Sequence, residues 1–241
     1  MKSFGPAPVI YDLNPYEQSS VQMHQLGARG ETNDGRVFRY VWAGETLVAG
    51  KLVTGPTINA NLINLAVLAG AAGAKAITFT NAATTTTAHY YDEGFAVISL
   101  ATGLGQTFKI SSLPALVSAA ASAVYLQDPI ETALDTTSKL DLVQSPYSQC
   151  LHAATATFTP VGVALHAFTT QYYGWLQTRG VCGVLSDATV VAGTGYIVDG
   201  SLDGALDIAT EASYIVNPLV GRAYQLAGAS TYYHPVFLTI D

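Results

Sequence analysis

Val161-Gly162-Val163-Ala164 followed by Tyr172-Tyr173, and Val220-Gly221-Arg222-Ala223 followed by Tyr232-Tyr233, are one module written twice, about sixty residues apart. Each copy reads as a short apolar strand, a loop, a double tyrosine and then an alternating strand. Tyr173, Trp175 and Gln177 share one face of the first alternating strand. Val236, Leu238 and Ile240 share one face of the second. A third echo links Thr46-Leu47-Val48-Ala49-Gly50 to Thr189-Val190-Val191-Ala192-Gly193. Repeats of this kind build architecture. Turn signals fall at Asp187-Ala188, Gly193-Thr194-Gly195, Asp199-Gly200, Asp203-Gly204 and Gly228. Short strands at that spacing predict a β-barrel or sandwich over residues 151–241.

Upstream the pattern stays β. Ile77 and Phe79 alternate with Thr78 and Thr80, Phe95 and Val97 with Ala96 and Ile98, and Phe108 and Ile110 with Thr107 and Lys109. The joints between them are Thr84 to Thr87, Gly103-Leu104-Gly105 and Asp128-Pro129. Two Ala/Leu-rich stretches are undecided by period. Asn61 to Ala72 is expected as strand, and Leu113 to Ala123 as a helical turn or loop. Together these define a central β domain over 46–150. Residues 1–45 read as an extended arm punctuated by Pro6, Pro8 and Pro15, with a first hairpin turning at Asn33-Asp34-Gly35. After that turn, Arg36 to Trp42 alternates as a strand, with Arg36, Tyr40 and Trp42 on one face and Val37 and Val41 on the other. Leu47 to Val53 is expected as a second short strand, bent at Gly50. The fold class is therefore all-β.

Composition narrows the function. Apolar residues make up 49% of the chain and charged residues 11%, with 14 Tyr. Interfaces are depleted in charge and enriched in Tyr, so much of the outside is expected to be covered by other subunits. The net charge of −7 argues against nucleic-acid binding. Residues 1–51 hold Lys2, Arg29, Arg36, Arg39 and Lys51 against five acids, so the rest of the chain carries the whole deficit. Met1 to Pro6 lacks the apolar stretch of a signal peptide, and the longest apolar run, Leu62 to Ala74, is too short to span a bilayer. Synthesis in the cytosol is expected, with Cys150 and Cys182 as free, small core residues.

No catalytic pattern emerges. Gly103-Leu104-Gly105 opens like a dinucleotide fingerprint, but its third glycine is Phe108 and no helix follows. His24, His89, His152, His166 and His234 show no metal-ligand spacing, and His89 and His234, beside their tyrosine pairs, are expected to pack and hydrogen-bond in interfaces. Asp199 and Asp203 lack the remaining ligands of a calcium loop and read as a turn. Asp92 and Glu93 would point to opposite faces of a strand. We expect no enzyme, no cofactor and no metal. An acid pair assembled by the fold leaves no local signature, so glycan hydrolysis stays open on this reading.

Several segments resemble the cement or decoration proteins on the outside of tailed-phage heads. They are Leu26-Gly27-Ala28-Arg29-Gly30 with Gly35 to Tyr40, Glu93-Gly94-Phe95 with Gly103 to Ile110, Pro160 to Ala164, Tyr172 to Thr178 with Gly180-Val181-Cys182, and Pro235 to Asp241. The resemblance runs from about residue 26 to Asp241. It implies a β-rich protein, often trimeric, that binds the major capsid protein and stabilises the filled shell. It implies no cofactor and carries no active-site residues. A tail or fibre module that binds or cleaves host glycan is the alternative, though neither heptads nor a sustained β-helix repeat is present.

Within the expected arm, Arg29, Arg36 and Arg39, guanidinium forks suited to carboxylates, are expected at the interface with the capsid or a neighbouring subunit, with Tyr40 and Trp42 as apolar anchors. The plainer alternative is an ordinary hairpin with its arginines in solvent.

Overall fold

The first strands come from the segment read as an arm. The computed structural model describes residues 9–153, 159–188, 192–198, 202–210, 213, 217–224 and 231–241. Strands β1 (Gln18–Ser19), β2 (Arg29–Glu31), β3 (Val37–Trp42) and β4 (Leu52–Thr54) open the chain. β2 and β3 form an antiparallel hairpin with Arg29 opposite Arg39. Its turn is Asn33-Asp34-Gly35, where Gly35 takes φ +81°, a conformation that glycine reaches without Cβ strain. The expected strand from Leu47 is shorter than its apolar pattern. It forms only at Leu52, because Gly50 turns the chain at φ +73°. The ring of Tyr233 occupies the space a Cβ on Gly50 would need.

The chain then leaves to build a separate body and returns. The body contains a 3-10 turn (Ala60–Leu62) and β5 (Leu65–Ala69), β6 (Ala76–Thr80), β7 (Phe95–Leu100), β8 (Thr107–Ser112), β9 (Ala121–Leu126) and β10 (Lys139–Val143). Asn61 to Ala72 is thus a turn followed by a strand. Leu113 to Ala120 is irregular and β9 begins at Ala121. The six strands close in the order β10-β5-β6-β9-β8-β7. β7 completes the ring by pairing with β10 from Phe95–Val143 to Leu100–Lys139.

The period-2 pattern explains the barrel. Ile77 and Phe79, Ala96 and Ile98, Phe108 and Ile110, and Leu140 and Leu142 all point inward and are buried. Their partners on the other parity face outward. Each buried Ile, Leu or Phe contributes about 1.5–3 kcal/mol. Leu62, Leu113, Leu116 and Ile130 join the same core. Asp92 and Glu93 lie in the turn before β7 rather than on a strand. Asp92 accepts the Leu113 N–H at 2.8 Å and meets His89 Nδ1 at 2.8 Å.

After the barrel come β11 (Leu151–His152), β12 (Pro160–Ala164), β13 (Tyr173–Ser186), β14 (Gly195–Val198), β15 (Leu206–Ile208), β16 (Leu219–Ala223) and β17 (Tyr232–Thr239). With β1 to β4 they make an eleven-stranded sheet. The duplicated module is visible in it: β12 pairs antiparallel with β13, and β16 pairs antiparallel with β17. The pairings β13-β15, β15-β14, β14-β16, β16-β17 and β17-β13 return on themselves, giving a second ring. Cys182, Val184, Tyr196, Val198, Val220, Val236 and Leu238 belong to its buried cluster. Both cysteines are buried and free, and burial pushes the Cys182 thiol up to about 12. The N-terminal arm is laid on this sheet from Val9 onward: Ile10 bridges Gly30, and β1 pairs with Tyr173 and Gly174.

The chain therefore divides into two units, Met1–Pro56 with Pro146–Asp241, and Thr57–Ser145. This corrects the three consecutive segments expected at 1–45, 46–150 and 151–241. The physical reason is pairing. β4 lies between β11 and β12, and β3 pairs with β13, so the N-terminal strands complete the C-terminal sheet. The third echo (from Thr189), the calcium-like turn at Asp199-Gly200, Gly228, and Pro6 and Pro8 lie wholly or partly outside the described residues. No helix among the described residues is long and apolar enough to cross a membrane.

Candidate interaction surfaces

β3 sits against β13 with Trp42 opposite Tyr173 and Tyr40 opposite Trp175. The shared parity predicted for these residues produces an aromatic stack. Trp42 stacks on Tyr173 with centroids 5.6 Å apart, Tyr40 meets Trp175 edge-on at 5.1 Å, and His24 closes on Tyr40 at 5.1 Å. Such pairs stabilise by about 0.5–1.5 kcal/mol beyond their buried area. Tyr40 is only 3% exposed and Trp175 5%. Burial raises the Tyr40 phenol, whose oxygen accepts the Met23 N–H at 3.1 Å. Beside the stack is a cleft of about 270 Å³, rimmed by Asp12, Asn14 and Glu17 and floored by His24, Tyr173 and Trp175.

The five residues expected at an interface are placed as follows. Arg39 makes a bidentate pair with Asp241, Nε to Oδ2 at 2.7 Å and Nη2 to Oδ1 at 2.7 Å, and Nη1 donates to the Gly27 carbonyl at 3.0 Å. That pair holds the Asp241 carboxyl below its ordinary value and raises Arg39 further. Arg36 donates Nε to Asp34 at 2.8 Å and lies 5.6 Å over the Phe38 ring. Arg29 reaches Glu31 at 3.4 Å. Tyr40 is interior and Trp42 half-buried, so the two aromatics pack within this chain. The three arginines share one hairpin, but each is committed to a carboxylate of its own chain.

Another arrangement was not foreseen. On β13, Arg179 and Val181 face outward. Val181 lies opposite Phe237 of β17, and Phe237 lies opposite Arg222 of β16. The row Val181–Phe237–Arg222 crosses three neighbouring strands, and Tyr224 follows outward, its ring 6.4 Å from Phe237. All five side chains are exposed. The signal was present in the shared parity of Arg179 with Val181 and of Arg222 with Tyr224. What the sequence does not give is the register that aligns the three strands.

A third cluster holds the groups most reminiscent of chemistry. His152 Nδ1 is 3.0 Å from Glu45 Oε1 and 3.7 Å from Asp203 Oδ2, and its Nε2 accepts the Val48 N–H at 2.9 Å. This arrangement fixes the tautomer with the proton on Nδ1. Burial lowers the His152 value, against the opposing pull of Glu45 and Asp203. Both ring nitrogens are occupied, so neither is free to take a proton from a bound substrate. The imidazole instead ties the β11 segment to the turn before β4. Of the two histidines expected beside tyrosine pairs, His89 is exposed and bound to Asp92, and His234 is buried within β17. Among the described residues no group of three or more His, Cys, Asp or Glu is arranged to hold a metal ion.

Comparison with protein-family models, with curated proteins and with solved structures returned no match to this chain.

Proposed function

We propose that the protein is a structural virion protein that decorates the outer surface of a tailed-phage capsid. In this reading it binds the major capsid protein, stabilises the shell, assembles as a homotrimer and is made in the host cytoplasm. The observation that carries the proposal is the set of apolar and aromatic side chains left outward on a surface poor in charge. Phe95 and Val143 form one such cross-strand pair on the inserted barrel, and Val181 and Phe237 form another on the larger sheet. Exposed apolar patches of this kind mark surfaces that other proteins cover. Closed β rings suit a part that must hold shape without metal, cofactor or moving lid. Arg29, Arg36 and Arg39 serve this reading by bracing the first hairpin.

The test is co-sedimentation of the purified chain with purified capsids. Saturable binding at a fixed stoichiometry supports the proposal, and absence of binding to mature shells defeats it.

A second reading, a tail or fibre module that binds host glycan, draws on the cleft beside the aromatic stack. Rings and carboxylates together are what a sugar requires. The rings of Tyr40 and Trp175 are nearly covered, however, and leave little surface for a sugar to stack on. Binding to isolated host surface glycan but not to capsids would favour this alternative.

A further inference from the structure

We infer that the acidic aromatic strip of the N-terminal segment docks on the Arg179–Val181–Phe237–Arg222 row of a second copy of this chain, in a head-to-tail contact that closes a ring. The inference rests on the homotrimeric reading above and names its surfaces.

The first strip is residues 9–25. Tyr11, Tyr16, Val21 and Met23 are each at least 60% exposed. That is an unusual density of large apolar groups for a segment whose backbone is already pinned to the sheet through Ile10 and β1. Its only charged side chains are Asp12 and Glu17. Both are exposed, and neither carboxylate makes a hydrogen bond or ion pair among the described residues.

The second strip has the opposite charge. Outward positions on its strands are Arg179, Val181 and Gly183 of β13, Arg222 of β16, and Phe237 and Thr239 of β17, with Tyr224 just beyond β16. None of these is acidic. The Arg179 guanidinium has no partner among the described residues. Arg222 uses one N–H on the Gly193 carbonyl, at 3.2 Å, and makes no ion pair among the described residues. Asp34, which lines a cleft with Val181 and Phe237, is already held by Arg36. Two arginines and two carboxylates, none of them in an ion pair among the described residues and each set amid apolar side chains, match one another. Arg with Tyr and Phe is also the composition that dominates binding energy at interfaces.

The strips do not meet within one chain. β1 reaches β13 at Tyr173 and Gly174, whereas Val181 lies seven residues further along, roughly 23 Å on an extended strand. The two patches are different surfaces, so a contact between them is heterologous. Such a contact either closes into a ring or runs on as a filament. Ring closure is the outcome that leaves neither patch bare.

The test uses the full chain alone in sedimentation velocity, with circular dichroism to confirm folding. Wild type is expected at the mass of three chains. The D12K/E17K variant and the R179E/R222E variant should each associate at least about tenfold more weakly and sediment as single chains. The chain carrying all four reversals restores complementarity and should recover the multimer. A wild type that stays monomeric, or a multimer indifferent to both pairs of reversals, overturns the inference. If monomeric wild type binds capsids and R179E/R222E does not, the row belongs to an acidic capsid surface. The decoration reading then survives and the second-copy contact does not.

Discussion

The two copies of the double-tyrosine module have the same pairing and opposite surroundings. In the first copy Tyr173 lies stacked on Trp42, near Tyr40 and Trp175, because β3 and β1 pair with the start of β13. In the second copy Tyr232 and Tyr233 remain 63% and 53% exposed at the start of β17. Sequence similarity set the strand geometry twice. Which tyrosines became partly covered was decided by segments from elsewhere in the chain. The first copy is therefore a place where stability resides, and the second a place where surface remains for other contacts.

The comparison breaks most readily at the aromatic stack. Trp175→Ala should cost about 3–5 kcal/mol, because it empties a site closed by Tyr40, His24 and Leu13. Urea unfolding would measure this as a lowered midpoint. A loss below about 1 kcal/mol would mean that the stack is not the core of this region.

The next effect concerns the clamp between β3 and Asp241. Arg39→Ala should destabilise by about 1–3 kcal/mol, since it removes a part-buried bidentate pair and the bond to the Gly27 carbonyl. The matching pH effect follows from the lowered Asp241 value. Its contribution is complete above the ordinary carboxylate range near roughly pH 3.9 and is lost as pH falls through the lower folded value. In Arg39→Ala, acid melts should lose that component.

His152 gives a smaller effect in a milder range. Its folded value lies below the unfolded one, so its stabilisation is complete above roughly pH 6.5 and declines as pH falls from there toward the folded value. A second proton on Nε2 would confront the Val48 N–H. Thermal melts of wild type should drop across that window, and His152→Gln should flatten the slope.

The smallest effect is expected at the second copy. Tyr232→Ser should change stability by less than about 0.5 kcal/mol, as for surface positions generally. A large loss there would show that the two copies are energetically alike and would remove the contrast.

Much of the architecture was legible because it rests on local pattern. The alternation at Ile77–Thr80 and Thr107–Ile110 gave strands and their buried faces. Asn33-Asp34-Gly35 gave a hairpin, and the repeated module gave its strands, though not their antiparallel pairing. The unit boundaries were not legible, because they depend on β3 and β4 pairing with strands more than a hundred residues away. The surroundings of the residues proposed for an interface depend on the same long-range pairing. Tyr40 is covered by Trp175 and His24, and Arg39 is met by Asp241, contacts that no local pattern encodes. The Arg179–Val181–Phe237–Arg222 row depends on the registers of β13, β16 and β17, which no single segment encodes.

The most direct measurement is electron cryomicroscopy of capsids saturated with the purified protein. Added density is expected on the outer face of the shell, in three-chain clusters at its local three-fold positions, into which the two β units fit. Bare shells, or density confined to the tail, would contradict it.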